Sequence, residues 1–298
     1  MKKIFVVFLL TLWLVFSSNA IFEPVFVGGR YVALGGANVT EVSDPYSIIY
    51  NPACIVYTED ISLSVSYSEP FGVAGANLIN FNLTGNVLDL IQAGFTFSSY
   101  GSSVDVGLRY MVLGFGLARG IDLSDLVSFV DMISLGVVFK GLSMSLRGHE
   151  IDETVNGDKF GFSVDAGVNF SLMEDFIKLG VVGYNLLPYK FAFLSDFGGS
   201  EIYSSLKLGA SLYLVKPYMK VFGAYNLGLN SSSTSYFSLG TEISYADTIF
   251  TRIGLDNNRI TAGLGIKGPN FEINFGVQNR DNLGWYYQVD LIGFANLF

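Results

Sequence analysis

The chain of 298 residues is half hydrophobic and only 14% charged, with a mean hydropathy of +0.44; a soluble domain would carry about a quarter charged residues. A net charge of −9 with 17 Lys plus Arg argues against a nucleic-acid partner, because phosphate binding needs clustered cations. One cysteine leaves no internal disulfide and no multi-thiolate metal site. Residues 1–20, MKKIFVVFLLTLWLVFSSNA, have a basic start, an apolar core from Ile4 to Phe16 and a small-residue exit. These are the parts of a secretory signal peptide, and cleavage is expected after Ala20. The apolar core is too short to cross a bilayer as a helix, which takes roughly 20 residues. No later stretch is long and apolar enough either. Only helices and closed barrels satisfy their backbone groups in lipid, so a barrel remains.

Residues 21–57 alternate poorly and hold Gly28-Gly29, Gly35-Gly36, Asp44-Pro45 and Asn51-Pro52. Glycine pairs and Asx-Pro steps favour turns, so a compact irregular segment is expected, of the kind that fills a lumen. From Ile61 the pattern changes to period two. Ile61, Leu63, Val65 and Tyr67 interleave with four serines. Val104 to Tyr110, Leu142 to Leu146 and Phe160 to Phe170 alternate in the same way, with Gly, Ser, Asp, Asn, Arg147 and His149 between. The last quarter holds four further runs, starting at Ile249, Ile260, Phe271 and Trp285 and separated by Asn/Asp/Gly/Pro turns.

This predicts an all-β transmembrane antiparallel barrel whose polar, small-residue parity faces the lumen. A soluble β-sandwich would alternate too, but its polar face would carry Lys, Glu and Arg rather than Gly, Ser, Thr and Asn. Segments 76–83 and 103–119 are ambiguous; bacterial barrels use even counts, and about 14 strands are expected. Residues 121–131, IDLSDLVSFVD, have helical spacing with Ser124 as a cap. Residues 186–202 form a long connection, either an ordinary surface loop or a gate or partner contact. The expected division is 1–20 signal peptide, 21–57 plug and 58–298 barrel.

Eight charges fall on the lumen parity: Asp105, Arg109, Arg147, Asp165, Glu242, Arg252, Glu272 and Asp290. Charges inside a barrel must pair or meet water, so these either fasten the plug to the wall or line a path. The single histidine, His149, could be joined with Glu150 or Asp152 in a triad. Yet the sequence has no GxSxG and no second histidine to complete a metal site. No enzymatic activity, metal or cofactor is expected.

The string ALGGANVTEVSDPYSIIYNPA (33–53) resembles the N-terminal signature of the FadL-like outer-membrane transport barrels, including the PorV-type branch. The matching residues are Leu34, Gly35, Gly36, Ala37, Asp44, Pro45, Asn51, Pro52 and Ala53. The resemblance implies a hatch plugging a 14-stranded barrel. It further implies uptake or binding of hydrophobic small molecules such as long-chain fatty acids; the PorV-type alternative is a non-transporting scaffold for protein secretion or envelope assembly. The chain ends LIGFANLF, the aromatic C-terminus that barrel assembly machinery reads. Expected partners are therefore outer-membrane lipid, that machinery and a hydrophobic ligand.

Overall fold

A computed structural model describes residues 26–58, 61–70, 76–88, 91–102, 106–148, 157–191, 200–229, 235–280 and 284–295. The expected signal peptide, Asp105 and His149 lie outside them. Three short elements come first: α1 (Gly29–Ala33), α2 (Ser47–Tyr50) and a 3-10 turn (Pro52–Tyr57). The strands are β1 (Ile61–Ser68), β2 (Ala76–Leu88), β3 (Ile91–Ser102), β4 (Val106–Asp122), β5 (Val130–Gly148), β6 (Gly157–Leu172) and β7 (Ile177–Tyr184). A small hairpin, β8 (Tyr189–Phe191) and β9 (Ser200–Ile202), interrupts the series. Then follow β10 (Ser205–Val215), β11 (Met219–Gly228), β12 (Tyr236–Tyr245), β13 (Ile249–Asp256), β14 (Arg259–Lys267), β15 (Phe271–Arg280) and β16 (Gly284–Ala295).

Fourteen of these strands close into an antiparallel barrel in which each pairs with its neighbour in sequence, β7 passes over the hairpin to β10, and β16 returns to β1. Closure leaves no sheet edge along the ring, and the parity reading holds around most of it. On β1, Ser62, Ser64, Ser66 and Ser68 are buried while Ile61, Leu63, Val65 and Tyr67 face out. On β16, Tyr286, Gln288 and Asp290 face in while Trp285, Tyr287, Val289 and Leu291 face out. The outer surface is thus an apolar belt, the face that hydrocarbon would solvate.

The ends of the barrel differ. Turns 173–176, 216–218, 246–248 and 268–270 lie at one end, and the opposite end carries the long connection 185–204. The wall is also uneven, because β4, β5 and β6 have 17, 19 and 16 residues against 8 in β1, β7 and β13.

Two local expectations are corrected. Residues 121–131 form no helix: β4 runs to Asp122, and the chain then reverses through tight turns (Leu126 and Val127 N–H to Leu123 O) before β5 begins at Val130. The seven residues between the strands are spent on reversing the chain, and Asp122 rather than Ser124 supplies the acceptor at its start. Its Oδ1 accepts from the Ser124 N–H at 2.9 Å and O–H at 2.6 Å. Connection 186–202 is not a plain loop, since it contains the β8–β9 hairpin.

Candidate functional site

The described N-terminal residues 26–58 lie against the inner face of the wall, and nearly all of them are buried. Their seat is made of glycine. Five register-paired glycine couples face inward: Gly94–Gly116, Gly136–Gly167, Gly180–Gly209, Gly240–Gly254 and Gly263–Gly276. A Cβ at any of them would run into the N-terminal segment. Ile48 and Ile55 rest on the first pair, Asn51 and Pro52 on the second, Val39 on the third, Leu34 on the fourth, and Ala33 and Gly29 on the last. In the sequence these glycines stand out only as small lumen residues; their recurrence on one parity of strand after strand is the available signal.

The signature residues shape the segment itself. Gly35 and Gly36 take φ of 62° and 69°, where a side chain would be strained. The Asp44 carboxylate accepts from Tyr31 O–H (2.6 Å) and the Tyr46 N–H (2.9 Å), and Pro45 follows it at the turn into α2. Asn51 caps the 3-10 turn by accepting from the Ala53 N–H at 3.0 Å, with Pro52 at its first position, and donates to Val39 O at 2.7 Å.

Opposite α1 lies an ionic hub that ties segment to wall. The Arg30 guanidinium donates twice to Glu242 (2.9 and 3.1 Å) and lies 3.7 Å from Asp44. Arg252 donates to Glu242 at 2.7 Å and to Asn274 Oδ1 at 2.6 Å, and its Nη2 lies 3.5 Å from Glu272. Asn274 in turn donates to Asp290 at 3.0 Å, and Asp290 also accepts from the Gly29 N–H. Glu242, Arg252, Glu272 and Asp290 thus converge on one site. Arg30 was missed by the sequence reading; a lone cation in an apolar, glycine-rich segment was its signal. Asp165 points inward as expected but belongs elsewhere, paired with Lys140 at 2.6 Å.

Cys54 stands fully buried, its thiol directed at the Val39 and Thr40 carbonyls of the same segment, and burial pushes its thiol up to about 12. It is expected to resist maleimide at neutral pH in mild detergent and to react at once in denaturant, read by mass. Labelling without denaturant would mean that the segment leaves its seat spontaneously.

A second site occupies the tall flank towards the long-connection end, where the parity rule inverts. Leu142 and Met144 face inward, packed with Phe191, Tyr110, Val112, Tyr189 and Ile202. Arg109, assigned to the lumen from its parity, is exposed on the outer side, next in sequence to the inward Tyr110. Ser145, beside it in register, bonds Asp158 on that same exposed side. The reversal is confined to β4 and β5: on β6, at the same height in register, Phe160 and Phe162 still face out and Gly161 and Ser163 face in. The Arg147 backbone pairs with Gly107 in this region, but its side chain is not among those described.

The hairpin caps this apolar inner face. Tyr189 lies on Gly161, Phe191 meets the Tyr110 and Tyr189 rings edge-on at 6.4 and 4.9 Å, and Ser163 Oγ donates to Leu187 O at 2.9 Å. Beneath it, Lys140 spans Asp165 and Asn185 Oδ1, and the Asp165 carboxylate accepts from the Asn185 N–H at 2.7 Å. Lower still, Tyr184 O–H donates to Tyr50 O in the N-terminal segment. Cap, ionic step and segment are therefore stacked along one flank. Among the described residues no His/Cys/Asp/Glu group could hold a metal ion.

No family model and no curated protein matches the sequence. Solved structures do. The CymD monoaromatic hydrocarbon channel is 12% identical, with TM-score 0.63 over 91% of this chain and 98% of that one. A Pseudomonas aeruginosa FadL homologue has TM-score 0.63 at 10% identity, covering 92% and 99%. The Pseudomonas putida toluene transporter TodX has TM-score 0.60 at 14% identity, covering 92% and 98%. The fold is that of the FadL-like outer-membrane barrels.

Proposed function

We propose that this chain is an outer-membrane channel for apolar small molecules, with residues 21–57 as its hatch. The observation that carries this reading is the apolar inner face that β4 and β5 present near the long-connection end. Tyr110, Leu142 and Met144 lie there under Phe191 of the hairpin, and ligand sites are apolar and concave with few polar groups. Barrels of this kind carry short turns on the periplasmic side and longer loops outside, which supports reading the cap as extracellular. A ligand would enter under the hairpin, pass the Lys140–Asp165 step and wait on the hatch. The hydrocarbon channels sharing the fold agree with this reading.

The site suits an uncharged, ring-bearing molecule better than a fatty acid. Three aromatic rings and a methionine sulfur line it, and such groups favour aromatic partners. Lys140, two residues below Leu142 on the same face, is already held by Asp165 and Asn185, so this cation is not free to take a carboxylate.

Apolar molecules extracted from protein purified in mild detergent should be identifiable by mass spectrometry. Met144→Glu should weaken binding of a fluorescent naphthyl probe at least tenfold, because an unpaired carboxylate in an apolar site is strongly disfavoured. Repeated preparations without ligand, together with unchanged probe binding in that variant, would sink the channel reading and leave the scaffold alternative.

A further inference from the structure

The polar step beneath the apolar face has hydrogen-bonding capacity left over. The register of the inner wall places it. Val112, Leu142 and Gly161 form one inward row, and the next row down is Gly114, Lys140 and Ser163. In the row below that, Ile48 and Ile55 of the hatch rest on Gly116. Lys140 therefore stands between the aromatic-lined face and the hatch. A Cβ at Gly114, its neighbour in the row, would meet Thr96, Val138 and Lys140 first, at 2.6, 3.2 and 3.8 Å. All three belong to the wall, so neither hatch nor hairpin comes as close to this row at Gly114.

The donors and acceptors of the step do not balance. An ammonium carries three N–H donors, and Lys140 gives two, to Asp165 Oδ1 at 2.6 Å and to Asn185 Oδ1 at 2.5 Å. Asp165 Oδ1 also accepts from the Asn185 N–H at 2.7 Å, whereas Oδ2 has no donor among the described residues. Asp165 is only 4% exposed. The neighbouring polar groups are turned elsewhere: Asn185 Nδ2 donates to Tyr203 O at 3.2 Å, and Ser163 Oγ to Leu187 O at 2.9 Å. One N–H and one carboxylate oxygen of a bonded pair thus remain over at the foot of the apolar site.

Such a pair discriminates by chemistry. A hydrocarbon satisfies neither group, and a buried charged group left unmet disfavours the complex. A carboxylate brings no donor and is repelled by Asp165; an ammonium is repelled by Lys140. A neutral hydroxyl has one donor and two lone pairs and satisfies both, through hydrogen bonds strengthened by the charge on each partner. The rings above it, Tyr110, Tyr189 and Phe191, suit an aromatic body.

Resting on the channel reading, we propose that the Lys140–Asp165 step is a hydroxyl-recognition site and that the preferred ligand is a neutral hydroxylated arene. The ligand O–H donates to Asp165 Oδ2, its oxygen accepts the third N–H of Lys140, and its ring lies towards Leu142 and the aromatic residues above.

The test measures binding of tritiated naphthol, its methyl ether and naphthalene to immobilised full-length protein, with protein-free micelles subtracted. Naphthol should bind at least tenfold more tightly than either of the other two. Apolar partition alone predicts the reverse order against naphthalene, and the ether keeps the oxygen but loses the donor. In Lys140→Met with Asp165→Leu, which removes the pair together rather than stranding one charge, the preference should fall to about one. Heat-dependent gel mobility confirms that each barrel is closed.

Naphthalene or the ether binding as tightly as naphthol overturns the hydroxyl site and leaves the channel reading standing. A naphthol preference that persists in the double variant overturns its assignment to Lys140 and Asp165. Closed barrels that bind none of the three probes overturn the channel reading itself.

Discussion

Glu242→Gln is expected to lower the stability of the seated hatch by about 3 to 5 kcal/mol, the penalty of breaking a buried ion pair from one side. Glu242 is the shared acceptor of Arg30 and Arg252, both with side chains no more than 10% exposed. A neutral amide leaves two guanidiniums facing each other across a site with little water. Arg30 keeps only Asp44 at 3.7 Å, so the tie between α1 and the wall goes first. Glu272→Gln is the control: Glu272 lies 3.5 Å from Arg252 Nη2, and Arg252 would retain Glu242 and Asn274. Protease cleavage within residues 26–58 should therefore accelerate strongly in Glu242→Gln and weakly in Glu272→Gln. Equal, small effects in the two variants would show that the hub does not hold the hatch.

Much of the wall was legible because a barrel between lipid and a polar lumen writes its parity into the chain. Ser62 to Ser68 against Ile61 to Tyr67 is enough to assign both faces of β1. The same rule fails at Arg109 and Met144 for a physical reason: period two reports that two faces differ, not which one is inside. Polar means inward only where the inner face has polar partners. On β4 and β5 near the long-connection end the chemistry reverses, because the hairpin offers the inner face an apolar partner, while the periodicity continues unbroken. The signature was legible too, because Gly35, Gly36, Asp44 and Asn51 each meet a local backbone demand. Arg30 and Lys140 were not, because an ion pair between residues 212 apart, as in Arg30–Glu242, leaves no local pattern.

Gly136→Val should unseat the hatch while leaving the barrel closed. Gly136 faces inward on β5 opposite Gly167, and a Cβ there would meet the Pro52 and Ala53 backbone at a separation no real Cβ occupies. The obstacle is main chain at a turn fixed by Pro52 and the Asn51 cap, so it cannot rotate away. Overpacking of this kind costs about 1 to 3 kcal/mol. The wall alone predicts the opposite sign, since valine suits a strand and glycine weakens one by roughly 0.5 to 1 kcal/mol. Gly141 separates the two effects: it lies on the outward parity of the same strand, where a Cβ would meet nothing closer than Leu113 O at 3.9 Å. Gly141→Val should leave Cys54 protected and the thermal midpoint unchanged or raised. Gly136→Val should expose Cys54 to maleimide without denaturant and lower the midpoint. A protected Cys54 in Gly136→Val would mean that the segment does not rest on that glycine pair.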